Sequence, residues 1–590
     1  MTPTPTTSDN LPYRRADFAA LPEALDYAAR GKTGFNFHTV KGELSYVLSF
    51  AELRERAIAL ARGLIRAGLP PRARVLLIAD TYPDFMVLFL GCQYASLLPV
   101  PVSVPTTLGG RDAYIAGLRR QLEGSGATAA VAPPELVPYL REAAEGLPVA
   151  LIGAPEDFFA LPGDGADPRP FGKDDPCYLQ YSSGSTRFPL GVDIPQRVLM
   201  ANCHAISHYG LEIVSGDRCT SWLPLYHDMG LVGFMLVPLA TQMSVDYVAT
   251  RDFARRPLVW PTLITRYGGS LSFSPTFGYD LCARRLGSAA GERSAAAAFD
   301  LRTWRGAGIG GDMIQPAVQA RFAEAFGPFG FRATAFVPSY GMAETTLAIS
   351  FAPLDTGVVI DTVDRHKLAE THIAAPAPDD GGIKTRGFVI CGKPMPGHAL
   401  EVRDPDGSRL SDRRLGKIFV RGPSVMAGYF NQKEATEAVL AADGWLDTGD
   451  LGYTIDGAVV ITGRAKDLII VNGRNIWPQD IEWAVEGLPK LRRGDVAAFS
   501  IEGAHDEEEV VVLVQCRTND PAARAELREE VAGALRRAQA LECTVALVPP
   551  HGLPQTSSGK LSRARAKANY LSGVYADPSS GAESLSAAGS

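Results

Sequence analysis

What the chain lacks narrows its class first. Its eight cysteines, Cys92, Cys177, Cys203, Cys219, Cys282, Cys391, Cys516 and Cys543, are scattered, with no CxxC pair and none of the close spacing of a disulfide framework. A reducing cytoplasm fits such usage. Positive charge is not in excess either, and a formal net charge of −7 argues against a nucleic acid or an anionic membrane gripped by bulk electrostatics. No apolar h-region follows Met1, so the start does not read as a secretory signal, and no period of ~20 to 50 residues repeats as in a solenoid. Long hydrophobic runs are scarce. The stretch FMVLFLGCQYASLLPVPV at 85–102 is uncharged but is interrupted by Gln93, Pro99 and Pro101, with no second span behind it. It reads as a buried helix running into a strand, and no integral membrane segment is expected.

What is present points to a large layered protein. At 590 residues the chain exceeds what one compact core supports, so at least two domains are expected. Hydrophobic residues at 46% and charged residues at 21% are ordinary for a globular protein. Ser49 and Glu52 in SFAE form a capping box opening a helix whose apolar face carries Leu53, Ala57, Leu60, Ala61 and Leu64. Short apolar strands, VLLIA at 75–79 and TAAVA at 128–132, alternate with helices, the pattern of parallel α/β layers. The Gly/Asp/Pro-rich stretch 163–176 marks a subdomain border. From Val402 onward hairpins take over, as in LGYTIDGAVVITG at 451–463 with its Asp456-Gly457 turn. The following GRAKDLIIVNGRNIWPQDIEWAV at 463–485 predicts a strand, a turn and a helix with Pro478 near its first position, the start of a smaller domain. The polar tail 576–590 is expected to be disordered.

Several short strings carry chemistry. YSSGSTRFPLGV at 181–192 has the small, hydroxyl-rich composition of a loop around a phosphate, with inward-turning N–H groups and hydroxyls from Ser182, Ser183, Ser185 and Thr186. It holds no GKS or GKT, so it is not a Walker loop, and by itself it is equally a Ser/Gly linker. PSYGMAETT at 338–346 offers an aromatic and main-chain surface for a base, and Glu344 a hard oxygen ligand suited to Mg²⁺. WLDTGDLG at 445–452 sets Asp450 in a glycine-flanked turn where a carboxylate can accept from two ribose hydroxyls. GRAKD at 463–467 supplies Arg464, and LPQTSSGKLSRARAK at 553–567 holds Lys560 at the tip of a polar loop. Singly, each is a plain loop or a salt-bridged surface turn as readily as a site.

Taken in order, YSSGST, PLYHDMGL, YGMAET, TGDLG, GRAKDLII and QTSSGK resemble the adenylate-forming superfamily of acyl-CoA synthetases, peptide-synthetase adenylation domains and luciferases. LPLYHDMGL at 223–231, SYGMAETTL and LIIVNGRNIWPQDIE are most similar to the fatty acyl-AMP ligases. The resemblance implies an α/β fold with a large multi-subdomain N-terminal domain, 1–463, and a small mobile α+β C-terminal domain, 464–575. It implies a ligase that joins a fatty acid and ATP to give acyl-AMP and pyrophosphate, with Mg²⁺. By the same resemblance Ser183, Gly184, Ser185 and Thr186 hold the β and γ phosphates, and Gly310, Gly311, Asp312, Tyr340 and Gly341 frame the adenine. Thr345 meets the α-phosphate, Glu344 holds Mg²⁺, and Asp450 and Arg464 hold the ribose. Lys560 bridges the α-phosphate and the acyl carboxylate, Lys466 is the hinge, and His227 and Asp228 lie by the acyl and phosphate mouth. The loop departs from the pattern: these families commonly carry Gly at the Arg187 position and Lys at the Leu190 position. A forked guanidinium can grip two phosphate oxygens, so Arg187 is expected to replace the missing lysine.

Two further matches are set aside. GAGIGG at 306–311 fits the dinucleotide fingerprint, but FRATAFVPSY, the strand expected after the following helix, ends without the acidic residue that would hold a ribose. His204 and His208 are spaced like a zinc pair on a helix, yet no base follows His204 and no third ligand is evident. The acyl acceptor is the open question. A segment of about 347–390, including IAAPAPDDGGIKTR, resembles one that acyl-AMP ligases carry and acyl-CoA synthetases lack, where it is thought to hinder the domain rotation that thiolation by free CoA needs. That implies transfer to the phosphopantetheine thiol of an acyl carrier protein, in lipid or polyketide synthesis. An acyl-CoA synthetase is the rival of the same class. A nucleotide-binding regulatory protein that has lost catalysis is the rival of another.

Overall fold

The computed structural model describes residues 6, 11–104, 111–182, 189–288, 299–377, 384–471, 474–502, 508–539, 541–556 and 560–575. They fold as two compact units, the larger running to Thr462 and the smaller from Gly463 on and taking in Ala369–Thr371.

Among the described residues, five sheets build the larger unit. Its main sheet has nine strands in the order Lys393–Pro394, Ser350–Phe351, Phe336–Tyr340, Gly306–Ile309, Leu271–Ser274, Arg218–Ser221, Ser244–Val248, Gly34–His38 and Leu44–Ser49. The six from Phe336–Tyr340 to Gly34–His38 are parallel, and the remaining three pair antiparallel at the rims. Gly34–His38 and Ser244–Val248 are buried throughout, their Asn36, His38 and Asp246 included. Between them Asp246 accepts from Arg218 Nε at 2.6 Å and lies 2.9 Å from His38 Nε2, which balances a carboxylate that burial alone would disfavour. A second parallel sheet orders Leu98–Ser103, Arg74–Ala79, Ala129–Val131 and Leu151–Gly153. The uncharged run becomes the helix Pro83–Tyr94, buried from Phe85 onward, and then the strand Leu98–Ser103. Among the described residues no helix is long and apolar enough to cross a membrane.

Local signals behave as their chemistry predicts, with one half-exception. Ser49 Oγ accepts from Glu52 N at 3.1 Å and starts the helix Phe50–Arg66, burying Leu53, Ala57, Leu60, Ala61 and Leu64. Glu52 Oε1 accepts from the Tyr46 hydroxyl at 2.6 Å, on the neighbouring strand. The stretch 163–176 leads into a three-stranded antiparallel sheet of Pro176–Tyr181, Gly191–Pro195 and Gly428–Tyr429. A four-stranded sheet follows, Ala399–Arg403, Gly416–Arg421, Leu446–Ile455 and Ala458–Arg464. Asp456 and Gly457 both take positive φ, 49° and 78°, as a two-residue hairpin turn between right-twisted strands demands.

The segment about 347–390 forms its own two-stranded sheet, Ile360–Asp364 with Thr385–Val389, and the helix Arg365–Thr371. It is stitched to the four-stranded sheet through Asp361, which accepts from both Arg413 Nη atoms at 3.1 Å and from the Tyr453 hydroxyl at 2.7 Å. Residues 378–383, within the Pro/Asp/Gly-rich part, lie outside the described residues, as does the tail 576–590.

By itself the smaller unit is α+β. The hairpin strands Ile469–Val471 and Arg474–Ile476 precede the helix Pro478–Glu486, which has its proline at the first turn. A sheet of Val496–Glu502, Glu508–Gln515 and Thr544–Val548 packs with that helix and with Pro521–Gln539 and Arg563–Leu571.

Candidate active site

In open parallel sheets, ligands bind in the crevice beyond the carboxyl ends of the strands. The marked residues of the larger unit collect there. Arg218–Ser221 leads to His227 and Asp228, Gly306–Ile309 to Gly310, Gly311 and Asp312, and Phe336–Tyr340 ends on Tyr340 before Gly341, Glu344 and Thr345. The last connection is the tightest. A Cβ at Gly341 would lie 1.8 Å from the Leu347 carbonyl oxygen, so no other residue fits. Ala343–Thr345 is one 3₁₀ turn, in which Thr345 Oγ1 donates to Met342 O at 2.9 Å. Thr346 then takes φ 70° and ψ −58°, and Leu347 N donates to Thr345 O at 2.8 Å. This is a γ-turn with positive φ, a strained conformation for a β-branched residue.

Neighbours over-determine that strain. Thr346 Oγ1 donates to Ser424 O at 2.9 Å. Asn202, on the helix Gln196–Ala205, grips Ala348 like a strand partner: its Nδ2 donates to Ala348 O at 2.8 Å and its Oδ1 accepts from Ala348 N at 3.3 Å. The same Nδ2 reaches Ser424 Oγ at 3.0 Å, and that hydroxyl lies 2.7 Å from His398 Nε2. Burial holds the His398 pKa below its usual value.

Two carboxylates converge on this turn, each with a phenol. Tyr340 Oη donates to Asp450 Oδ2 at 2.8 Å, and Tyr429 Oη donates to Glu344 Oε1 at 2.9 Å. Asp450 and Glu344 are each 8% exposed. The expected glycine-flanked turn at Asp450 is corrected by the structure, which sets it inside the strand Leu446–Ile455 at a bulge. There Thr448, Gly449 and Asp450 lie opposite Ile418 alone, Gly449 has φ 71°, and Thr448 Oγ1 donates to Ile418 O at 2.8 Å, so the two extra residues re-aim the carboxylate. Burial first, and Glu344 second, push the Tyr429 pKa well up, so its hydroxyl keeps the proton it donates.

Other marked residues take structural partners here. Asp312 Oδ1 accepts from Thr276 N and Oγ1, both at 3.1 Å, which caps the helix Thr276–Leu286. His227 Nδ1 lies 2.5 Å from Asp228 Oδ1, and Met229 N donates to that oxygen at 2.7 Å. Ser183, Gly184, Ser185, Thr186 and Arg187 lie outside the described residues. Their flanks pair as strands, and Gly191–Pro195 joins Gly428–Tyr429 with Val192 opposite Tyr429. The rings of His204 and His208 are 4.0 Å apart, and among the described residues no group of three or more His, Cys, Asp or Glu could hold a metal ion. Glu344 offers a hard carboxylate oxygen, the ligand type that Mg²⁺ takes.

The smaller unit carries Arg464 at the end of Ala458–Arg464, Lys466 in the 3₁₀ turn Ala465–Asp467, and Lys560. Burial, more than the nearby Arg464, lowers the Lys466 pKa, while Asp467 opposes it. Thr556 N donates to Lys560 O at 2.7 Å and closes the loop that carries Lys560. Arg563 forks onto Glu482 at 2.8 and 2.6 Å and reaches Asp467 at 3.1 Å. Sequence reasoning passed over Tyr429, Asn202, Ser424, Thr346 and Arg563. Thr346 and Arg563 fall inside strings read as sites, and Asn202 opens NCHAISHYG, the stretch of the discounted His204/His208 pair.

Comparison with known proteins agrees with this geometry. The AMP-binding enzyme family matches residues 30–430. The chain belongs to that family, the adenylate-forming, ATP-using ligases, and within it to the group of the fatty acyl-AMP ligases. A protein of Caulobacter vibrioides (strain NA1000 / CB15N) with the provisional name acyl-CoA synthetase is 50% identical over 97% of this chain and 99% of its own. A medium-chain-fatty-acid–[acyl-carrier-protein] ligase of Moorena producens (strain JHB) is 30% identical over 95% and 96%. A structure from work on fatty acyl-adenylate ligases of E. coli and L. pneumophila superposes with a TM-score of 0.90 at 43% identity, covering 96% of this chain and all of that one.

Proposed function

We propose that the enzyme joins a fatty acid to AMP and then passes the acyl group to the phosphopantetheine thiol of an acyl carrier protein. A carboxylate oxygen attacks the α-phosphorus of ATP and the bond to pyrophosphate breaks; in the second step the thiol sulfur, losing its proton, attacks the acyl carbonyl carbon and AMP leaves. The observation that carries the first step is the convergence of the two phenol-held carboxylates, Glu344 and Asp450, on the strained turn beyond the parallel strands. Asp450 and Arg464 are assigned the ribose, Gly310, Gly311, Asp312, Tyr340 and Gly341 the adenine, and Thr345 the α-phosphate. Ser183, Gly184, Ser185, Thr186 and Arg187 are assigned the departing pyrophosphate. Mg²⁺, held by Glu344, supplies charge neutralisation on the phosphates when bound. Lys560 is assigned the meeting point of the two anions, with rotation about Lys466 separating the half-reactions, and His227 the acyl mouth.

A carrier-protein acceptor draws support from the name of the Moorena relative and from the inserted segment. The provisional name of the Caulobacter relative favours free CoA instead. A fatty-acid panel assayed for acyl-AMP, with CoA or with a phosphopantetheinylated carrier, separates the readings. Carrier acylation without CoA consumption supports the first, CoA consumption the second, and ATP binding without pyrophosphate release overturns both. Lys560→Ala should lower acyl-AMP formation by about two to three decades while ATP binding stays near wild type. Unchanged turnover would remove Lys560 from the reaction.

A further inference from the structure

We propose that Tyr429 is the positioning residue of the metal-binding carboxylate, an inference that rests on the assignment of Mg²⁺ to Glu344. One short stretch grips Glu344 at both ends: Met426 N donates to its main-chain oxygen at 2.9 Å, and Tyr429 Oη to its Oε1 at 2.9 Å. The stretch is itself fixed. Gly428 and Tyr429 pair with Asp193 and Val192, and Tyr429 N donates to Thr436 Oγ1 at 2.9 Å. Its partner strand Gly191–Pro195 follows the loop to which the phosphates are assigned. Tyr429 thus ties the orientation of one carboxylate to the strand behind that loop.

A phenol donor on one carboxylate oxygen biases the plane in which the remaining lone pairs are presented. Losing that donor loosens the terminal torsion, whose wells are broad. Hydrogen-bond partners of ligating carboxylates typically set metal affinity by about 10- to 100-fold, because they orient the ligand before the ion arrives.

The test uses Tyr429→Phe, which keeps the ring and deletes only the hydroxyl. Mn²⁺ binding to the full chain is followed by electron paramagnetic resonance in the presence of α,β-methylene ATP, a readout independent of turnover. In parallel, the Mg²⁺ dependence of pyrophosphate release is measured at saturating ATP and fatty acid. The expected result is a Mn²⁺ dissociation constant raised about 10- to 100-fold, with most of kcat restored at high Mg²⁺. A merely structural tyrosine would lower kcat and the unfolding midpoint without moving the metal titration. Glu344→Gln distinguishes the layers of the argument. If Glu344→Gln weakens Mn²⁺ binding and Tyr429→Phe does not, the role of Tyr429 is overturned; if neither does, the assignment of the metal to Glu344 falls and the proposal with it.

Discussion

A carboxylate kept at 8% exposure is costly unless something donates to it, and Glu344 and Asp450 each accept from a phenol. A neutral donor satisfies an oxygen without cancelling the charge. A cation in the same place would neutralise the carboxylate before any metal or ribose arrived. The role proposed for Arg187 is the opposite one, a charge for an anion: an arginine side chain is planar and always protonated, so it can hold two oxygens of a pyrophosphate at once. Arg187→Ala is expected to raise the ATP KM and slow adenylation by about tenfold or more, and Arg187→Lys to recover only part. Pyrophosphate release measured across the three proteins checks this. A wild-type rate in Arg187→Ala would show that the loop works without that charge.

Among the elements, the helix Pro478–Glu486 carries the most sharply shifted carboxyl. Burial pushes Glu486 from about 4.5 up to about 8, although Gly494 N donates to it at 2.6 Å. Between those values the folded smaller unit binds more protons than its unfolded chain, so its stability falls as pH rises from about 4.5 to about 8. The slope is at most about 1.4 kcal/mol per pH unit for one group. Glu486→Gln should flatten that fall, read as hydrogen exchange in peptides spanning 478–486 from pH 5 to 8. Parallel profiles for variant and wild type would exclude Glu486 as the source.

The same elements show what a sequence exposes and what it hides. The helix Phe50–Arg66 and the buried run 85–102 were legible because period and capping are local, and the two-residue turn at Asp456-Gly457 because it needs positive φ. The motif strings located Tyr340, Glu344 and Asp450. Tyr429 and Asn202 were not legible, since each acts on a residue far along the chain and neither carries a spacing of its own. The bulge at Asp450 escaped for a related reason: glycine on either side of a carboxylate reads as a turn, and only cross-strand register reveals a bulge.

For the whole molecule, the question is what the inserted segment restrains. It is anchored through Asp361 to Arg413 and Tyr453, all in the larger unit. If it limits rotation of the smaller one, removing part of 355–383 should create some acyl-CoA synthesis while adenylation persists. The measurement is acyl-CoA formed by a folded deletion variant that still makes acyl-AMP. A variant that adenylates normally and makes no acyl-CoA would place the block elsewhere.

The pairing of Gly34–His38 with Ser244–Val248 also sets the order in which the molecule can be made. About two hundred residues separate the partners, and ribosomes add roughly 5–20 residues per second, so the early strand waits on the order of 10–40 s for its neighbour. Meanwhile Leu98–Ser103, Arg74–Ala79, Ala129–Val131 and Leu151–Gly153 emerge together and can complete their own sheet. The hairpin Gly34–His38 with Leu44–Ser49 has no such closure, and its open edge is one that becomes fully buried later. During synthesis that edge is an exposed template for mispairing, one that a nascent-chain chaperone would shield.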